Sequence, residues 1–295
     1  MALPATCLAG PSTTSCCDSV LVSGGSFYRN HDVAADKMFP DMTHQATVSA
    51  FRLDVYKVTV GRFRKFVNAD MGTQAKPPAA GAGSRTLNGL PDQGGWETSW
   101  NSMLAVDRTE LLTRLNSCNV LKNTWTNSPG SKENRPMVCV SWYEAMAFCI
   151  WDGGFLPTVA QRQYAAAAGS QQRAYPWSNP PGSTAINCSL TSYGGSNYPT
   201  TACATAPVDV GSVAGDIGAF GQRGLGGNVS EWTLDCYQGT LPPTCSDCAS
   251  LSGTQRILCG SSFYDDALAA RVAWTSATVP DFRGLQVGFR CARAP

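Results

Sequence analysis

Residues 134–169 read NRPMVCVSWYEAMAFCIWDGGFLPTVAQRQYAAAAG, and their punctuation decides the fold. Ser141 followed three residues later by Glu144 is a capping box: the hydroxyl accepts from the Glu144 N–H, and the carboxylate accepts from the Ser141 N–H. The spacing predicts a helix over EAMAFCIW, stopped by Gly153–Gly154. Thr158 and Gln161 repeat the device before QYAAAAG. Two short capped helices are thus set in a chain that otherwise reads as strands and loops, an α+β pattern.

Working upstream, SVLVSGGSF at 19–27 predicts a short strand ending in a glycine turn. In AFRLDVY, Phe51, Leu53 and Val55 alternate with polar residues, the period of a half-buried strand. Thr59 caps a helix over VGRFRKFVN, in which Val60, Phe63, Phe66 and Val67 share one face. Residues 70–100 form a Gly/Pro/Ala-rich excursion, and Trp96 and Trp100 at its end predict a loop packed over the body. Downstream, periodicity fades from 170 to 260, and loops of that length are usually functional or tied down by ions or disulfides. RVAW (271–274) and VGFRCA (287–292) predict core strands. With no internal repeat and no boundary, residues 19–295 are read as one domain behind a cysteine-containing lead-in, residues 1–18.

The 295 residues are 43% hydrophobic and 15% charged, with a net charge of +1. That balance is globular and gives no footprint for nucleic acid. No stretch approaches the roughly 20 apolar residues that span a bilayer. Thirteen cysteines predict structural disulfides and an extracytoplasmic location, secreted, periplasmic or envelope-associated. The N-terminus lacks a basic region and a long apolar core, so a leader is not expected within this sequence. Cys245 and Cys248 form the one CxxC. With no second CxxC to complete a zinc site, each is expected to pair with a more distant cysteine. An odd total leaves at least one thiol free or paired outside the chain.

Taken in order, VLVSGGSF, FRLDVYKVTVGRFRKFV, the 134–169 stretch, YPWSN, APVDVGS, GLGGNVSEWTLDCY, GSSF and VGFRCAR resemble the formylglycine-generating enzyme, or sulfatase-modifying-factor, family over residues 19–293. The resemblance implies a C-type-lectin-like fold with little regular structure and long loops. It also implies a chemistry. Members that make formylglycine hold copper on a cysteine pair just after a glycine turn and oxidise a substrate cysteine. Here the turn is Gly260-Ser261-Ser262-Phe263, followed by Tyr264, Asp265 and Asp266, and no cysteine falls between Cys259 and Cys291. Carboxylates suit harder ions than Cu(I). Cys259 precedes the turn, where related sequences often carry arginine. Neither copper nor formylglycine generation is expected.

A second branch of the family resembles non-haem iron enzymes, which need a facial set of imidazoles and carboxylates. The chain supplies only His31 and His44, with Asp32 or Asp41, and the two histidines read as surface-loop residues. Iron is not expected. Calcium remains open. The family resemblance implies a calcium loop ahead of GLGGNVSEW, for which Glu231 and the carbonyls of Gly227 and Val229 are the candidates, although Gly224 stands where the family has asparagine. A second site would use Asn187, its usual aspartate falling near Thr200.

Three functions fit these residues. The first is an extracytoplasmic module that binds a ligand or protein partner through a C-terminal cleft, with Asp265, Asp266, Arg271, Trp274, Asp281 and Arg283 as polar anchors on an aromatic floor. The second is a metal-dependent oxidoreductase with a centre unlike the copper dithiolate. The third is a disulfide-braced envelope protein. The missing cysteine pair favours binding. Other features read as scaffold: Glu144 as a cap, and Trp142, Trp151, Trp177, Trp232 and Trp274 more often as core than as ligand platforms. GQRGLGG lacks the lysine of a phosphate loop, and Ser141 and Ser261 lack a histidine for a hydrolase triad.

Overall fold

The computed structural model describes residues 15–118, 121–194 and 202–295. Four strands open it: β1 (Ser19–Val22), β2 (Gly25–Tyr28), β3 (Gln45–Val48) and β4 (Phe51–Asp54). Helix α1 (Val60–Asn68) follows, then the hairpin of β5 (Arg85–Leu87) and β6 (Leu90–Gln93), and helix α2 (Arg108–Leu115). The two helices predicted from 134–169 are α3 (Trp142–Trp151) and α4 (Val159–Ala166). The rest is loop and strand: β7 (Ser230–Cys236), β8 (Thr244–Ser246), β9 (Arg256–Cys259), β10 (Thr275–Thr278), β11 (Val287–Gly288) and β12 (Ala292–Arg293).

The helices start where their caps place them. Ser141 and Glu144 form the reciprocal box, as do Thr158 and Gln161, and the Thr59 hydroxyl accepts from the Arg62 N–H. Their apolar faces then meet one centre. Phe63 and Phe66 of α1 lie with ring centroids 5.5 Å from Phe148 of α3, and Phe289 closes the cluster at 5.4 Å. Each fully buried phenylalanine is worth about 1.5–3 kcal/mol. Helix α3 is bolted to β7 by reciprocal indole bonds, Trp142 Nε1 donating to Thr233 O (2.8 Å) and Trp232 Nε1 to Val140 O (3.1 Å).

Three small sheets wrap this core, in the orders β1-β4-β12, β2-β3-β8 and β10-β9-β7-β11, with β5-β6 as a separate hairpin. The first joins the two halves of the chain, since β12 pairs antiparallel with β4. The 70–100 excursion does pack over the body, with Trp96 only 2% exposed.

Two expectations need correction. Residues 271–274 form a turn, not a strand: Arg271 N–H bonds to Leu268 O and Trp274 N–H to Arg271 O, both at 3.1 Å, and β10 begins only at Thr275. Cys245 and Cys248 pair with each other, not with distant cysteines. The reason is local. Strand β8 runs parallel to β3, and Asp247 then turns in the left-handed region (φ 45°), which brings the two Cα atoms within 5.6 Å. The Asp247 carboxylate holds that turn by accepting from Ser49 N–H and Oγ at 2.7 Å each. Other disulfides join Cys118–Cys139, Cys149–Cys291 and Cys188–Cys203, while Cys236 and Cys259 carry thiols. Among the described residues no helix is long and apolar enough to cross a membrane.

Candidate functional site: a buried carboxylate beneath the glycine turn

Glu231, near the start of β7, is fully buried and gathers three cations. Lys57 Nζ lies 2.9 Å from Oε1 and Arg162 Nε 2.6 Å from Oε2. Arg290 donates Nη2 to Oε1 (2.8 Å) and Nε to Oε2 (3.0 Å). One carboxylate thereby ties β7 to α4, to the segment between β4 and α1, and to the segment between β11 and β12. Burial alone would push the Glu231 carboxyl up, but Arg162, Arg290 and Lys57 together hold it well below the usual carboxylate range. Burial pulls the Lys57 ammonium down to about 8, the two arginines adding to the effect and Glu231 opposing it.

This arrangement bears directly on calcium. Lys57 Nζ also donates to Gly224 O and, at 3.0 Å, to Gly227 O. The ammonium thus stands among two loop carbonyls and the carboxylate, the kind of oxygen set a hard cation takes. Val229 is buried and its N–H bonds to Gly227 O at 3.1 Å. Asn187 is exposed and folds its Oδ1 onto Ser189 N–H and Oγ (2.9 and 2.6 Å), while Thr200 lies outside the described residues. A calcium ion needs six to eight oxygens and net negative charge. The donors around Glu231 do not fit it, because their centre is filled by a cation and flanked by two more. Exhaustive chelation is therefore expected to leave the melting temperature within about 1 °C of the untreated protein, and millimolar calcium to do the same. A rise of several degrees on adding calcium, read by differential scanning calorimetry, would contradict this.

Directly above the ionic centre lies the glycine turn. Gly260 has φ +74°, and a Cβ on it would sit 3.0 Å from Leu225 O and 3.1 Å from Arg162 Nη2. After the turn, Asp265 Oδ2 accepts from Ser262 N–H (2.7 Å) and Ser262 Oγ (2.8 Å), and Asp266 Oδ1 accepts from Ala269 N–H (3.1 Å). Both aspartates are half-buried, and Lys122 Nζ meets the Tyr264 hydroxyl at 2.8 Å. Arg271 is buried, pairs with Asp32 (3.1 Å) and Asp36, and lies over the Tyr175 ring. Arg283 pairs with Glu144 (2.5 and 2.8 Å) and donates to Cys139 O (3.0 Å). Both arginines are thus held by the protein itself. Trp274 and Asp281 are exposed, leaving them with the half-buried Asp265 and Asp266 as the solvent-facing members of the predicted set.

The side chains considered for iron are each engaged by other partners. His31 is buried, not a surface residue, and its Nδ1 bonds Phe39 O at 2.8 Å. Asp32 is held by Arg271 and Ala34 N–H, whereas Asp41 is engaged by Thr43 and by His44 at 3.3 Å. Among the described residues no group of three or more His, Cys, Asp or Glu is placed to hold a metal ion. Of the two buried thiols, burial pushes Cys259 up to about 12 and raises Cys236 as well, so neither is a ready thiolate. Sequence reasoning missed Lys57, Arg162 and Arg290. They sit in three separate segments, and only the low overall charge hinted that each cation had an internal task.

The chain matches the model of the sulfatase-modifying factor enzyme 1-like domain over residues 6–295. It is 29% identical to the formylglycine-generating enzyme of Mus musculus over 263 residues, 84% of this chain and 67% of that protein. It is 27% identical to the inactive C-alpha-formylglycine-generating enzyme 2 of Bos taurus over 295 residues, 92% of this chain and 87% of that one. Among solved structures, PvdO from Pseudomonas aeruginosa superposes with a TM-score of 0.60 at 22% identity, covering 94% of each chain. Treponema denticola variable protein 1 does so with a TM-score of 0.60 at 17% identity, over 94% of this chain and 95% of that one. These last two likenesses are of fold. Match, motif order and architecture agree: the chain belongs to the sulfatase-modifying-factor family.

Proposed function

We propose that this protein is a divergent family member that does not make formylglycine and instead binds a ligand or protein partner outside the cytoplasm, on a scaffold of C-type-lectin-like type. One observation carries the reading. In the stretch after the glycine turn, where the family resemblance expects two copper-binding thiolates, no cysteine falls between Cys259 and Cys291; Asp265 closes the turn by accepting from Ser262 N–H and Oγ, and Asp266 accepts from Ala269 N–H. A copper thiolate centre cannot be assembled from them, and the thiol nearest in sequence, Cys259, is sealed beneath the turn. The similarity to a relative described as inactive supports the same reading. The disulfides support an extracytoplasmic location.

The contact surface would be Asp265, Asp266, Trp274 and Asp281, with Arg271 and Arg283 fixing the backbone behind it. The test supplies copper and oxygen with a cysteine-containing sulfatase-type peptide and looks for the aldehyde by mass spectrometry. No aldehyde is expected, and its formation would end the proposal. For any partner recovered, Trp274→Ala is expected to weaken binding roughly 10-fold or more, as an exposed aromatic anchor does, while shifting stability by less than about 0.5 kcal/mol.

A further inference from the structure

A second concave site lies away from the glycine turn, and it holds a buried cation that forms no ion pair within 4.0 Å among the described residues, Asp235 and Glu97 acting on it only at longer range. Arg256 opens β9, opposite Cys236 of β7 and Thr278 of β10, and is 7% exposed. Its guanidinium carbon lies 3.7 Å from the Trp142 ring centroid and 5.6 Å from that of Trp100. Nη1 donates to Leu234 O at 2.5 Å. Among the described residues neither Nε nor Nη2 donates to a protein acceptor, and no carboxylate lies within 4.0 Å of the group. Every other arginine buried to this degree has a carboxylate partner: Arg62, Arg64, Arg162, Arg271 and Arg290 do, Arg29 alone excepted. Burial lowers the Arg256 pKa, with Cys236, Tyr143, Asp235 and Glu97 opposing it only in part.

Arg256 lines a cavity of about 280 Å³, small against drug-sized pockets. Trp96, Trp100, Leu234 and Leu251 supply its apolar and aromatic walls. The indoles are locked: Trp96 Nε1 donates to Asn101 Oδ1 at 2.8 Å, and Trp100 stands edge-on to it at 5.5 Å. One wall is bare backbone, since a Cβ on Gly95 would lie 2.4 Å from Gly81 O. At the mouth, Asp92 and Glu97 are exposed.

Three chemistries are therefore presented together. The open Nε/Nη2 edge of Arg256 is a fork for a carboxylate, held rigid by the stacked indole. The tryptophan and leucine walls take a planar or branched apolar body. The exposed carboxylates suit an ammonium. We infer that this cavity binds a small zwitterion of the α-amino-acid class with a large apolar side chain, its carboxylate on Arg256 and its ammonium towards Glu97. The site is separate from the glycine-turn surface, so it stands or falls independently of the function proposed above.

The experiment titrates the full chain with L-phenylalanine, phenylacetate, phenethylamine and inorganic phosphate, reading heat and tryptophan fluorescence. L-Phenylalanine is expected to bind saturably. Phenylacetate should bind several-fold more weakly and phenethylamine roughly 10- to 100-fold more weakly, the usual effect of losing a charge-assisted bond. Phosphate should not bind. Arg256→Gln, which keeps a planar group on Trp142, should lose roughly 10- to 100-fold for both carboxylates. Glu97→Gln alters only an exposed side chain and should erase the preference for L-phenylalanine over phenylacetate, which keeps the inference testable should the arginine variant not fold. Absence of saturable binding by any of the carboxylates, equal binding of phenethylamine, or binding of phosphate in their place would overturn it, as would an unchanged preference in Glu97→Gln.

Discussion

Glu231→Ala is expected to leave the protein unable to hold its native state at ordinary temperatures. The substitution removes the carboxylate that pairs with Lys57 at 2.9 Å, leaving it only the longer-range attraction of Asp216, and abandons Arg162 and Arg290 in a fully buried setting. Taking one partner from a buried ion pair costs about 3–5 kcal/mol. Here three cations lose theirs at once, against a total stability of about 5–15 kcal/mol for a typical domain. Glu231→Gln keeps the shape but not the charge and should fare little better. Lys57→Met should be far milder, because Glu231 keeps both arginines and the local excess of positive charge falls. Chemical denaturation of the three variants checks the ranking. A Lys57→Met variant as unstable as Glu231→Ala would contradict it. The same centre sets an acid limit. Its carboxyl titrates lower in the folded than in the unfolded chain, so its stabilisation is complete above the unfolded pKa of about 4.3 and drains away as pH falls below it.

The second large effect concerns Cys149–Cys291, which joins α3 to the end of the chain across a sequence separation of 142. Closing a loop of that length removes about 5 kcal/mol of unfolded-state entropy, against about 2 kcal/mol for a bridge as short as Cys245–Cys248. The double variant Cys149→Ala/Cys291→Ala is therefore expected to lose at least twice the stability of Cys245→Ala/Cys248→Ala, judged by urea midpoints at equal slope. Comparable losses would show that the long bridge acts by packing, not by chain entropy. Alanine is the right replacement because both Cys149 and Cys291 are fully buried and a serine hydroxyl would want a partner.

What could be read in advance follows from how far apart the interacting residues lie. Ser141 with Glu144 and Thr158 with Gln161 act across one helical turn, so their geometry is written in the sequence and both helices begin where expected. Phe63 and Phe66 declared their face by period alone. The ionic centre is another matter, for Lys57, Arg162, Glu231 and Arg290 converge from segments with no mutual register. The family loop around Glu231 looked like a place for a cation, and a cation is there, but it is a side chain that no spacing rule could deliver. The 271–274 turn was misread for a related reason. Alternating apolar residues suggest a strand, yet Arg271 is drawn inward by Asp32, more than two hundred residues away.

The pairing of β12 with β4 has one more consequence, for the order of events during synthesis. Until Ala292 and Arg293 leave the ribosome, the edge of β4 at Leu53 and Arg52 has no partner, and the sheet that also contains β1 is unfinished. Contacts this distant in sequence slow folding, because a long loop must close before they repay it. A nascent chain of this protein therefore carries an open strand edge from the emergence of β4 until that of β12, the condition in which a holding chaperone is of most use.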